Sequence, residues 1–62
     1  MKLEFDPIAD AAYFEILSAE VETTKEIESG IIVDYDKEGH VVGIEVLSVS
    51  KRGISKTVNK VA

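Results

Sequence analysis

The stretch from residue 30 to residue 47 constrains the fold more than any other part of this 62-residue chain. Its two ends, residues 31–35 and 41–47, are rich in β-branched and aromatic residues, which suit a pleated, half-buried surface. Between them, Asp36 fits the first position of a type I turn, and Gly39 fits the left-handed position that closes a three-residue loop. The stretch therefore predicts a β-hairpin.

The register of this hairpin decides which side chains share a face. If Asp36 pairs with His40, Tyr35 lies opposite Val41, and the pairing continues in step along both strands. One face then carries Ile32, Asp34, Val42, Ile44 and Val46, and the other carries Ile31, Val33, Tyr35 and Val41, with Gly43 leaving a gap that Tyr35 or Val33 could cover. A one-sided sheet alternates apolar and polar residues, whereas both of these faces are largely apolar. We therefore expect the C-terminal segment or a second subunit to cover the second face.

The length of the chain points to assembly. Sixty-two residues form one domain at most, and a chain of this size buries only about 60% of its unfolded surface. Chains this small usually add disulfides, a metal or oligomerisation. The sequence has no cysteine and one histidine, which excludes disulfides, thiolate zinc sites and histidine clusters. Oligomerisation remains, and we expect a homodimer.

The net charge of −5 is unevenly distributed. Residues 1–50 hold all twelve acids and three lysines, which gives −9, while residues 51–62 carry +4 from Lys51, Arg52, Lys56 and Lys60. An acidic body repels phosphates, so nucleic acid is a disfavoured partner and a basic protein is a plausible one. The adjacent charges Lys51 and Arg52 are expected to be solvated.

The ends and the composition of the chain also indicate where it works. The first residues contain no apolar core of signal-peptide length, and no run approaches the roughly 18 apolar residues of a membrane span. The absence of cysteine fits a reducing compartment. We expect a soluble, cytoplasmic protein that does not bind membranes.

The first half of the chain predicts three more strands. Residues 2–5 alternate, and Pro7 ends this strand in a one-turn helix or tight loop. Residues 12–17 have aromatic and branched character, although helix over residues 9–17 is the competing interpretation. Residues 21–28 have one wholly polar face, which suits an edge. The prediction is a mainly β fold, a single antiparallel sheet of about five strands in a meander.

The pattern changes after the last strand. Ile54, Val58 and Val61 recur at helical spacing and form a narrow apolar stripe. The stripe is consistent with a short helix packed on the sheet and equally with an end that frays. The predicted organisation is an antiparallel β domain over residues 1–50 and a basic tail or short amphipathic helix over residues 51–62.

No arrangement of catalytic residues stands out. His40 lies beside a turn glycine, with no nucleophile or activating partner that can be placed near it, so a turn-flanking role is favoured over a catalytic base. The sequence has no nucleophile-elbow motif, phosphate-cradling glycine loop or metal-ligand spacing. We predict no enzyme, no cofactor, and no catalytic, cofactor-binding or metal residues.

Three aspartates support an alternative function. Oxygen-only sites suit calcium or magnesium, and Asp6, Asp10 and Asp34 are the candidate ligands for a small ligand- or cation-binding domain. Capping explains Asp6, and turn chemistry explains Asp36. Asp34 lies on an apolar face in the predicted register and needs a partner, which the backbone of the turn at residues 6–10 would provide.

Several ordered segments carry a resemblance. They read KLEFDPIADAAY from residue 2, ESGIIVDYD from residue 28, GHVVGIEVL from residue 39, and SK at residues 50–51. Together they resemble the domain-of-unknown-function 2283 family of short bacterial and archaeal proteins. The resemblance implies a small, mostly β protein and no established activity. The matching positions are mostly turn, cap and packing types: Asp6, Pro7, Ala9, Asp10, Asp34, Tyr35, Gly39, Gly43 and Ser50.

The functional prediction from sequence is a non-enzymatic interaction module, dimeric and acidic, that binds a basic protein. Families of this kind are sometimes suspected of pairing with small toxin-like proteins, so an antitoxin-like role is one version. The divalent-cation module is the alternative.

Overall fold

A computed structural model describes residues 1–52, and it confirms the mainly β fold as one five-stranded antiparallel sheet. The strands are β1 (Lys2–Asp6), β2 (Ala11–Glu15), β3 (Thr23–Glu28), β4 (Ile31–Tyr35) and β5 (Val41–Leu47). A 3-10 turn at Val49–Lys51 follows, and no helix of residues 1–52 is long and apolar enough to cross a membrane. Of the one-turn helix or tight loop predicted near Pro7, the structure has the tight loop, because residues 7–10 form a turn. The predicted C-terminal helix lies largely outside the described residues.

The strand order corrects the predicted meander. The order is β1-β2-β5-β4-β3, so β2 pairs with β5 and not with β3. Burial explains this arrangement. The apolar strand β5 contains the buried residues Val42 and Gly43 and takes the centre, whereas every residue of β3 is exposed. The prediction that β3 forms an edge is confirmed.

The β4–β5 hairpin has the predicted loop and a different register. The amide of Asp36 donates to the carbonyl of His40 over 2.9 Å, and Gly39 has a φ of 85°. Tyr35 lies opposite Val41, as predicted. A β-bulge then leaves Val42 as an extra residue, so that Asp34 lies opposite Gly43. All pairs beyond the bulge differ from the prediction by one residue, which moves side chains to the other face.

The bulge gives the sheet one apolar face, so the prediction of two such faces is wrong. Cross-strand partners project from the same face, and two rows of partners run across all five strands. One row is Leu3, Phe14, Ile44, Val33 and Lys25, and the other is Phe5, Ala12, Val46, Ile31 and Glu28. The apolar face is defined here by the eight apolar members of these rows.

The described residues build only a small core. Ala11, Val33 and Val42 are the buried hydrophobic residues among them. On the apolar face, Leu3 remains 70% exposed and Phe5 remains 55% exposed. Stable domains usually pack two layers around a core, whereas residues 1–52 supply one layer.

Two sets of hydrogen bonds connect the residues that follow β5 to other parts of the sheet. The Asp10 carboxylate accepts hydrogen bonds from the amide of Ser50 at 3.1 Å and from its hydroxyl at 2.8 Å. The Arg52 guanidinium donates to the carbonyls of Leu47 and Ser29, both at 2.6 Å. The expectation that Arg52 is merely solvated is therefore wrong. These bonds tie the last described residues to the β1–β2 and β3–β4 turns.

Candidate functional site

The face opposite the apolar face carries most of the strand charges. Residues at alternate positions of β1 to β5 project from it, since the side-chain period of a strand is two. The acidic face is defined here by six acids and one lysine: Glu4, Asp6, Glu15, Glu26, Asp34, Glu45 and Lys2. A face with this charge excess attracts cationic groups and repels phosphates.

Tyr13 lies near the middle of the acidic face. On β2 it pairs with Glu4 of β1 on one side and with Glu45 of β5 on the other. These three residues help to line a shallow, open cavity of about 400 Å³. An aromatic ring between two carboxylates is an arrangement that can receive a lysine or arginine side chain.

The ring of Tyr13 also fills the space above Gly43. A Cβ atom built at Gly43 would overlap the phenol oxygen of Tyr13 and lie 3.1 Å from the carbonyl oxygen of Phe14. The sequence predicted a gap at Gly43 covered by Tyr35 or Val33, and the structure corrects this. Tyr13 comes from β2, whose pairing with β5 was not predicted.

Asp34 has two side-chain partners on neighbouring parts of the sheet. Its carboxylate accepts from the Tyr13 hydroxyl at 3.0 Å and from the Thr24 hydroxyl at 2.7 Å. The predicted bond to the backbone of the turn at residues 6–10 is therefore wrong. Partial burial, together with the hydrogen bond to Asp34 and its charge, raises the pKa of Tyr13. The phenol thus stays protonated and acts as a donor.

The three candidate cation ligands are not brought together. Asp6 accepts from the amides of Ile8 and Ala9, which confirms its capping role. Asp10 binds Ser50, and Asp34 binds the two hydroxyls of Tyr13 and Thr24. Each carboxylate has its own partners in a different part of the sheet, so the geometry does not favour the cation-binding alternative built on them.

A different group of possible metal ligands lies on the β4–β5 loop. Ligand atoms of Asp36, Glu38 and His40 lie within 4.8 Å of one another, the one such group within residues 1–52. Asp36 accepts from the amides of His40 and Glu38, at 2.8 Å and 2.9 Å, and these bonds lower its pKa. Its other oxygen is 3.4 Å from Nδ1 of His40. These contacts fit the turn role predicted for His40 and Asp36.

We expect calcium or magnesium at millimolar concentration to leave the melting temperature of the full chain unchanged. The reason is that Asp6, Asp10 and Asp34 each accept bonds from separate donors. A ligand that binds only the folded state raises the melting temperature in a concentration-dependent way. Thermal unfolding monitored by circular dichroism measures this. A saturable rise that Asp34→Asn removes, and Asp36→Asn does not, would contradict the expectation.

A family model matches most of the chain. The model of a family described as "Protein of unknown function (DUF2283)" matches residues 2–50. No curated protein and no solved structure matches the chain. The matched region covers all five strands and ends at Ser50, the residue that binds Asp10.

Proposed function

The chain belongs to the DUF2283 family of proteins of unknown function, and from its own surfaces we propose that it is a non-enzymatic, cytoplasmic interaction module. In this proposal it acts as a homodimer whose acidic face binds a basic protein. An antitoxin-like role, in which the partner is a small basic toxin-like protein, is one version.

The observation that carries the proposal is the separation of charge between the two faces. Six acids and one lysine project from the acidic face, whereas the rows on the apolar face carry charge only at their β3 end, at Lys25 and Glu28. Complementary charge speeds association and selects partners more than it adds affinity. A basic polypeptide is the partner that this distribution favours.

The row formed by Glu4, Tyr13 and Glu45 is the proposed centre of partner binding. A cationic side chain in the cavity beside Tyr13 would meet the aromatic ring and both carboxylates. Glu4 is exposed and Glu45 is half-buried, so a partner can reach them without unfolding the sheet. Rim charges of this kind each contribute modestly, and their effect falls with salt.

A non-enzymatic role is supported by how the polar groups of the described residues are used. The carboxylates of Asp6 and Asp36 accept hydrogen bonds from backbone amides of their own turns, and the Asp10 carboxylate accepts one from the amide of Ser50. Asp34 accepts hydrogen bonds from two hydroxyls. His40 has an imidazole that is 68% exposed, and its close charged partners are Asp36 and Glu38 of its own loop. General acid–base catalysis needs a positioned group in a site that holds a substrate, whereas these groups hold turns and neighbouring strands together.

The partner prediction is tested with a carboxylate-to-amide pair. We expect Glu4→Gln combined with Glu45→Gln to weaken binding of the partner by about tenfold, since two contacts of moderate strength are lost. The matched control is Glu20→Gln with Glu38→Gln, which changes the net charge equally on exposed loop residues. The partner is captured with the full chain from its native host, and binding is measured calorimetrically at two salt concentrations.

The control pair should bind within about twofold of the natural chain, a difference well under 1 kcal/mol. Equal losses in both pairs would mean that net charge alone matters and that the acidic face has no special role. A captured partner that is acidic, or a nucleic acid, would overturn the proposal.

A further inference from the structure

We propose that the apolar face is a self-association surface, on which a second copy of this chain packs across β1 and β2. In this arrangement Leu3, Phe5 and Phe14 of one copy contact the same three residues of the other. The inference rests on the proposed function, because it gives the homodimer a surface and a geometry.

The exposure of the apolar face is graded across the sheet. Leu3 is 70% exposed, Phe5 55% and Phe14 38%, all on β1 and β2, whereas Val33 on β4 is only 4% exposed. Leu3, Phe14 and Val33 belong to one continuous row. Among the apolar residues of the two rows, the uncovered area is therefore concentrated at the β1–β2 end, and a covering partner gains most by packing there.

Charge favours a second copy of this chain over a basic partner as the occupant of the apolar face. Each chain has a net charge of −5, so two copies attract only where the acids are absent. The six strand acids of the acidic face point away from the apolar face. Packed sheets lie about 10 Å apart, and the acids project outward from both sheets. The acids of the two copies are therefore separated by more than the Debye length, which is about 8 Å at physiological salt. A basic partner, in contrast, is drawn to the acidic face.

The charges at the β3 end of the apolar face favour one of two symmetric arrangements of the dimer. Dimers of this kind have a two-fold axis, and each copy contributes the same patch. An axis parallel to the strands at the sheet centre would place Leu3 and Phe5 over the β3 end, where Lys25 and Glu28 lie. A two-fold axis that lies in the plane between the two sheets and runs perpendicular to the strands stacks β1 and β2 over their own copies instead. The second arrangement brings the exposed apolar side chains together.

Sedimentation equilibrium of the full chain tests the surface with a matched pair of substitutions. Leu3→Glu places a charge in the middle of the proposed interface. Ile8→Glu makes the same change at a side chain that is 97% exposed in the β1–β2 turn, off the face. The natural chain and Ile8→Glu should sediment at twice the 6.8 kDa mass of one chain, and Leu3→Glu should dimerise at least tenfold more weakly.

A second measurement keeps the proposal testable if Leu3→Glu fails to fold. The chain contains no cysteine, so a single introduced thiol reports proximity without interference. Phe5→Cys should form a covalent dimer rapidly with a short bis-maleimide, and Ile8→Cys at the same concentration should not. Circular dichroism establishes that both variants retain the sheet.

The outcomes separate the inference from the proposed function. A natural chain that is monomeric at high micromolar concentration would overturn the homodimer and this surface together. A dimer that persists in Leu3→Glu, or a Phe5→Cys variant that crosslinks no faster than Ile8→Cys, would overturn this surface alone. The role of the acidic face is decided by the glutamine variants and not by these measurements.

Discussion

Replacing Gly43 by alanine is expected to destabilise the protein by about 2–4 kcal/mol, through overpacking and the loss of one hydrogen bond. The added Cβ would overlap the hydroxyl end of Tyr13 and approach the carbonyl of Phe14. The ring can move away only by giving up its bond to Asp34. A chain of this length has a total stability of about 3–9 kcal/mol, so the substitution removes a large part of it.

A double-mutant cycle separates this cause from a general cost of changing the central strand. In a Tyr13→Ala background the phenol ring is gone and only the close approach to the Phe14 carbonyl remains, so Gly43→Ala should cost only about 1 kcal/mol. Urea unfolding of the four chains measures the coupling. Equal costs of Gly43→Ala in both backgrounds would show that Tyr13 is not the obstacle.

Local sequence signals predicted the elements of the fold well. Strand composition and turn chemistry gave β4, β5 and the loop closed by Gly39, and polar alternation placed β3 at an edge. Each of these signals lies within a few neighbouring residues, where side-chain type and backbone preference act directly. The strand order depends on pairing β2 with β5 across about thirty residues, and no local pattern encodes that choice.

The register shows how a small irregularity changes a larger conclusion. The predicted hairpin was correct up to Tyr35 and Val41, and the bulge at Val42 moved the next pairs by one residue. Because side chains alternate, that single extra residue replaced the two largely apolar faces of the prediction by one apolar face and one acidic face. The expectation that a second subunit covers the sheet therefore rests on one uncovered face, the apolar face.

The candidate binding centre could not be predicted, because it joins three strands that are distant in sequence. Glu4, Tyr13 and Glu45 are neighbours only after β2 has paired with both β1 and β5. Asp34 was recognised as the acid that needed a partner, and it has two, Tyr13 and Thr24.

Several positions that carry the family resemblance have structural roles in this chain. Asp6 caps the β1–β2 turn, Gly39 takes a left-handed conformation, and Gly43 lies beneath Tyr13. Asp10 and Ser50 bind each other across forty residues. Shared positions of this kind specify a fold, so the function of each member is expected to depend on the exposed side chains between them.

Replacing Asp10 by alanine is expected to cost about 2–3 kcal/mol, because hydrogen bonds to a charged acceptor contribute about 1.5–3 kcal/mol and alanine tolerates the left-handed region poorly. Asp10 has a φ of 54°, and its carboxylate holds the amide and hydroxyl of Ser50. Asp10→Asn is the matched control, since asparagine accepts this conformation and keeps an oxygen acceptor, so it should cost no more than about 1 kcal/mol. Asp10→Gly, which keeps the conformation and removes the carboxylate, should fall between them. Urea unfolding gives all three values, and a cost below about 1 kcal/mol for Asp10→Ala would show that Asp10 does not hold the C-terminal end of the sheet.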